Sequence, residues 1–143
     1  MTEFLLVNDK LHTAQHGFLA GHSTCTNLLE SLNDWTVNLK NRHLTRVVNV
    51  DFARAFDTVS HPKLISKVSS YGFGDNIVNI IKSFLSNRKQ CVIINGTKSD
   101  EVQMISGVPQ GSVLGPLLFI IYINNDIYSH KAVQYNTIYR KEK

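Results

Sequence analysis

Apolar residues recur at three- and four-residue steps along much of the chain. Leu28, Leu29, Leu32, Trp35 and Leu39 make one face of a helix that Ser23 or Thr24 can cap. Leu64, Ile65 and Val68 give a second helix its buried side, with Ser60 as candidate cap, Pro62 in the first turn and Gly72 at the end. Ile77, Ile80, Ile81, Phe84 and Leu85 face inward on a third helix that Asp75 can cap, and Ser86-Asn87-Arg88-Lys89 breaks the pattern.

Other stretches follow a different rule. Val47 to Val50 is a valine-rich run, which reads as a buried strand that ends at Asp51. Phe52 to Val59 can form a helical turn. Gln90 to Ile94 reads as a strand, and Val102 to Ile105 as its return. Between them Asn95-Gly96 is a hairpin signal, since both residues tolerate positive φ. An apolar segment runs from Val113 to Ile127, interrupted by Gly115-Pro116. Residues 1–14 and the tail from Tyr128 to Lys143 carry little pattern. The order of helix, strand, two helices, hairpin and helix implies an α+β layer arrangement.

Composition narrows the class. The 143 residues suit one domain and are 43% hydrophobic, which argues against disorder. The net charge of +4, from 15 basic and 11 acidic residues, permits a polyanionic partner without demanding one. Cys25 and Cys91 lie far apart in no metal-binding spacing, and read as reduced, buried thiols of an intracellular protein. The N-terminus lacks the length and flanks of a signal peptide, and the apolar run before Asn124-Asn125 is too short to span a bilayer. A soluble protein, cytoplasmic or nuclear, is the expectation.

Chemistry can sit in two places. Asp51, at the end of the valine run, can meet a metal or a phosphate, or can serve as a cap or a surface turn. Ser106-Gly107-Val108-Pro109-Gln110-Gly111-Ser112 precedes an apolar helix. Its glycines let backbone approach a ligand, and amides at a helix start favour anions. Gln110 can donate and accept hydrogen bonds, which suits a base, a sugar or a phosphate. The same stretch also reads as an ordinary turn between hairpin and helix.

Taken in order, Val50-Asp51-Phe52-Ala53-Arg54-Ala55-Phe56-Asp57-Thr58-Val59, Tyr71-Gly72, Ser83 to Gln90, Ile94-Asn95-Gly96 and Ser106 to Phe119 form a specific set. Together they resemble the reverse transcriptase domain of non-LTR retrotransposons, the jockey-like elements in particular. Gln15-His16-Gly17-Phe18 with Gly21 and Ser23-Thr24 resembles the fingers motif of that family. The likeness covers roughly residues 15–127.

The resemblance implies part of the fingers and palm of a right-hand polymerase, with an incomplete antiparallel palm sheet and packed helices. Residues 1–127 would be the partial polymerase domain and 128–143 an unmatched polar tail. The implied partners are an RNA template, a DNA primer and deoxynucleoside triphosphates, with no membrane. Asp51 matches the first catalytic aspartate, which would ligate Mg²⁺ together with the backbone carbonyl of Phe52. Mg²⁺ prefers oxygen ligands and takes one or two carboxylates plus substrate phosphates. Phe56 matches the aromatic position beneath the incoming sugar, where a ring leaves no room for a 2′-hydroxyl. Gln110 and Gly111 match the motif that tracks the template and the new base pair. Arg54, Arg88 and Lys89 can serve the phosphate backbone, or are solvated charges.

Asp57 is not the natural partner of Asp51. In a strand the two would lie about 20 Å apart at roughly 3.3 Å per residue. On a helix six residues turn the side chain by about 240°. Asp57 therefore reads as a cap or a structural hydrogen-bond acceptor.

The sequence also departs from the family. It holds no adjacent Asp-Asp pair, and Asp126 stands alone behind Asn124-Asn125. Leu19 occupies a position where the family usually has Arg, and His22 one where it has a basic residue. Leu19 cannot neutralise a triphosphate, and His22 does so only when protonated. The expectation is a reverse transcriptase fragment that is inactive alone. The alternatives are a non-catalytic nucleic-acid-binding fragment and the product of a degenerate reading frame.

Overall fold

The computed structural model describes residues 1–124, which divide into two compact units. One is Met1–Ala53 together with Ile123 and Asn124, and the other is Arg54–Tyr122. Asp126 and Ile127 lie outside the described residues.

The first unit holds α1 (Thr2–Val7) and α2 (Thr24–Lys40). Sequence pattern did not announce α1, whose Leu5 is fully buried. A reciprocal capping box sets the start of α2. The Ser23 hydroxyl accepts from the Thr26 amide at 3.2 Å, and the Thr26 hydroxyl accepts from the Ser23 amide at 2.9 Å. Asn124 fastens the far end of the described chain to this unit. Its Nδ2 donates to the Lys10 carbonyl at 2.6 Å, and its Oδ1 accepts from the His12 amide at 3.0 Å.

Leu28, Leu29, Leu32 and Leu39 share a side of α2, as their spacing predicts, and that side is exposed, Leu39 by 78%. Periodicity says which residues lie on one side of a helix, not whether anything covers that side. Cys25, in the first turn of α2, is exposed rather than buried, and Cys91 is half-buried. Val47 to Val50 forms no strand, and Val47, Val48 and Val50 are exposed. A strand exists only with a partner to take its amides and carbonyls, and no described strand pairs with this run.

The second unit contains α3 (His61–Ser70) and α4 (Asp75–Leu85), which pack on one another. Leu64 and Val68 of α3 and Val78, Ile81 and Leu85 of α4 are buried. Pro62 sits in the first turn of α3, where a missing amide costs nothing. Ser60 occupies the cap position without a side-chain capping bond. Gly72 closes α3 at φ +85°. Asp75 lies inside the first turn of α4, where its charge suits the helix dipole, and Gly74 takes the cap position assigned to it above. The inward face of α4 is also shifted. Val78 is buried, whereas Ile80 is 62% exposed, because each residue step rotates the side chain by about 100°. Ile80→Ala is accordingly expected to change stability by no more than about 0.5 kcal/mol, read as the midpoint of urea unfolding.

Four short strands follow: β1 (Lys89–Gln90), β2 (Ile93–Ile94), β3 (Thr97–Lys98) and β4 (Val102–Gln103). They form two antiparallel ladders, β1 with β4 and β2 with β3. The turn falls at Asn95-Gly96 as the sequence requires, with φ of 50° and 80°. The single strand expected over Gln90 to Ile94 is split at Cys91-Val92. There the Ser99 hydroxyl, not a backbone carbonyl, accepts from the Val92 amide at 2.9 Å. The return begins at Thr97, so Val102–Gln103 pairs with β1 rather than β2.

The last helix, α5 (Leu114–Ile123), buries Gly115, Leu118, Phe119, Ile120 and Ile121. It is apolar all round, as a core helix must be. Gly115-Pro116 opens this helix instead of interrupting it. Near its other end the Tyr122 carbonyl accepts from Lys67 Nζ at 2.7 Å, which relieves one of the partnerless carbonyls of the last turn. Mixed helix with small antiparallel sheets is therefore the observed class. No helix among the described residues is long and apolar enough to cross a membrane.

Candidate functional site

The second unit brings together two segments that are far apart in sequence. One is the turn Arg54–Thr58, in which the Arg54 carbonyl accepts from the Asp57 amide at 2.9 Å and the Thr58 amide at 3.2 Å. The other is the loop Ser106–Ser112. The Gly107 amide donates to the Val59 carbonyl and the Val108 amide to the Phe56 carbonyl, each at 2.8 Å. The Ser106 hydroxyl donates to the Asp57 carbonyl at 2.9 Å, and Gln110 Nε2 donates to Asp57 Oδ1 at 3.1 Å. His61 Nε2 lies 2.8 Å from the Gly107 carbonyl. A carbonyl only accepts, so this ring nitrogen carries a proton.

The glycines of the loop have separate reasons. Gly107 has φ +84°, and a Cβ there would meet the Asp57 carbonyl oxygen at 2.9 Å. Gly111 has φ +78° with open space around it, so its requirement is conformational only. At Gly115 a Cβ would lie 2.6 Å from the Pro109 carbonyl oxygen. The Ser112 hydroxyl donates to that oxygen at 2.7 Å and accepts from the Gly115 amide at 2.9 Å, which caps the start of α5.

The candidate residues fall as follows. Phe56 is half-buried and stacks on Phe119 of α5, with ring centroids 4.8 Å apart and planes 24° from parallel. That contact fixes the ring. Gln110 and Gly111 lie in the clamped loop and are exposed. Arg54 is exposed at φ +52°. Lys89 Nζ lies 3.5 Å from Glu101 Oε2, a surface pair that adds little stability and leaves the cation accessible. Arg88 is half-buried, and its Nε is buried without a hydrogen-bond partner.

Asp51 and Phe52 belong to the first unit and lie in irregular, exposed chain. Among the described residues, no hydrogen bond or ion pair reaches the Asp51 carboxylate. Nor do three His, Cys, Asp or Glu side chains group as a metal site among them. Asp51 can supply one hard oxygen ligand.

In the first unit, the segment from Gln15 to Thr24 is also held in place. His16 Nε2 lies 2.6 Å from Glu30 Oε2 and its Nδ1 3.0 Å from the Thr26 hydroxyl, while the His22 ring stands edge-on to it at 5.1 Å. Leu19 is buried and contributes to packing.

Sequence reasoning did not find His61 as a contact of the loop, nor the partners of Ser106 and Asp57. Gln110 and Asp57 are separated by 53 positions. No local spacing encodes such a contact.

The reverse transcriptase (RNA-dependent DNA polymerase) family matches residues 1–137. The chain is 35% identical over 122 residues to the probable RNA-directed DNA polymerase from transposon BS of Drosophila melanogaster, covering 85% of this chain and 13% of that protein. It is 34% identical over 119 residues to the RNA-directed DNA polymerase from mobile element jockey of the same species, covering 83% and 13% respectively. A retrovirus-related Pol polyprotein from the type-1 retrotransposable element R2 of Popillia japonica is 32% identical over 78 residues, covering 54% and 13%. The chain therefore spans about 13% of the length of these relatives.

Proposed function

The chain belongs to the reverse transcriptase (RNA-dependent DNA polymerase) family, and we propose that it is the fingers and palm segment of a non-LTR retrotransposon polymerase. The parent activity is template-directed transfer of deoxynucleotides to a primer 3′-hydroxyl, with RNA template, DNA primer and deoxynucleoside triphosphates as partners. The polymerase portion is residues 1–127 and the polar tail 128–143, in a cytoplasmic or nuclear protein. One observation carries the reading. The turn that bears Phe56 and the loop that bears Gln110 are hydrogen-bonded into one unit, with the Val108 amide on the Phe56 carbonyl at 2.8 Å. Two elements that the family uses at a nucleotide are thus joined by the chain's own backbone.

Within this reading Phe56, braced by Phe119, supports the sugar and leaves no room for a 2′-hydroxyl. Gln110 and Gly111 follow the nascent base pair. Arg54, Arg88 and Lys89 hold phosphates without reading sequence. The family works with a divalent cation, here Mg²⁺, which Asp51 and the Phe52 carbonyl would hold as this chain's oxygen donors and which would supply charge stabilisation when bound.

Because the chain holds no Asp-Asp pair, the purified 143-residue protein is expected to extend no primer with Mg²⁺. Grafting residues 15–124 into the jockey polymerase, in place of the matching segment, is expected to give Mg²⁺-dependent extension of a DNA primer on RNA. Asp51→Asn should abolish it, and Phe56→Val should admit ribonucleotides. A chimera that folds and binds template but never extends, with Asp51 intact, would overturn the reading.

A further inference from the structure

Asp57 and Gln110 form a pair that the roles above do not use. The Gln110 amide has a donor end and an acceptor end, and nothing in the glutamine itself selects which faces outward. An ionised carboxylate only accepts. With Gln110 Nε2 at 3.1 Å from Asp57 Oδ1, the amino end must turn toward Asp57. The carbonyl end, Oε1, is then left to face a ligand. The backbone around the pair is also held: the Asp57 carbonyl accepts from the Ser106 hydroxyl, and the Asp57 amide donates to Arg54. His61 holds the Gly107 carbonyl three positions before Gln110. Both residues of the pair are exposed, so the bond contributes little to stability and its value lies in orientation.

We infer that Asp57 is a positioning residue that locks the Gln110 amide with its oxygen outward. The loop then offers a hydrogen-bond acceptor to an N–H or O–H donor of a bound nucleotide. This rests on the polymerase reading for its ligand, though not for the lock itself.

The test uses the ¹⁵N-labelled 143-residue chain. The Gln110 side-chain amide signals, identified by their loss in Gln110→Glu, should show the heteronuclear NOE of a fixed side chain. Asp57→Asn, which can donate as well as accept, should make that side chain mobile while leaving the unfolding midpoint unchanged. With dTTP and Mg²⁺ as probe, Asp57→Asn should weaken binding about three- to tenfold, the weight of one ordinary hydrogen bond. An unchanged dTTP affinity in Asp57→Asn overturns the positioning role. A Gln110 side chain as mobile in the unaltered chain as in Asp57→Asn overturns the lock. Failure of the unaltered chain to bind dTTP, with the Gln110 side chain fixed, overturns the polymerase reading and with it the ligand.

Discussion

Replacing Gly107 by alanine is expected to lower the stability of the chain by about 2–5 kcal/mol, because the methyl group brings two costs at once. The first is conformational. Gly107 has φ +84°, where a side chain strains against its own backbone. The second is steric. The new Cβ would meet the Asp57 carbonyl oxygen at 2.9 Å, the Asp57 Cα at 3.0 Å and the Phe56 carbonyl oxygen at 3.1 Å. All three are backbone atoms, and the bonds from Gly107 to Val59 and from Val108 to Phe56 stop them from retreating. Gly21→Ala is the control, since Gly21 has φ +78° but nothing within 4 Å of the added atom. Urea unfolding of the two variants separates strain from collision. Equal losses would show that the loop and the turn do not meet as closely as the hydrogen bonds require.

Leu64→Ala is expected to cost about 2–5 kcal/mol in the same measurement. Leu64 is fully buried on α3, the helix that packs on α4. Truncation removes buried methyl groups and leaves a space that packed helices refill only in part. Leu64→Met keeps most of the volume and should cost less than about 1.5 kcal/mol. The effect also reaches the site. Val59 and His61, which hold the Gly107 backbone, lie just before Leu64 in the chain.

Much of the second unit was legible because its signals are local. Pro62, Gly72 and Asn95-Gly96 constrain backbone angles by their own chemistry, and the structure uses each where the sequence places it. Helix existence was equally plain for α2, α3 and α4, since three- and four-residue spacing is a property of one segment. What the sequence did not give was everything that depends on a neighbour. The valine run before Asp51 has strand propensity, but no described strand pairs with it. The leucines of α2 mark a face without saying what lies against it. Val78 and Ile80 point to different sides of α4, and only what packs on the helix decides which side is buried. The site divides along the same line. Asp51, Phe56 and Gln110 were singled out by ordered motifs, whereas the bonds of Asp57 to Gln110 and of His61 to Gly107 became visible only when the chain was folded.

The uncovered face of α2 has a thermodynamic consequence. Leu28, Leu29, Leu32 and Leu39, with Val47, Val48 and Val50 beyond the helix, are already hydrated in the folded chain. At 40–78% exposure they have only the remaining part of their surface to expose on unfolding. They contribute less than buried residues do to the heat capacity of unfolding, which in ordinary domains reaches about 12–15 cal/mol/K per residue as apolar surface is exposed. The stability of this chain should therefore vary with temperature along a shallower curve than its length suggests. Its balance between cold and heat denaturation is set by the residues of the second unit and by the few buried ones of the first, not by its whole complement of leucine and valine.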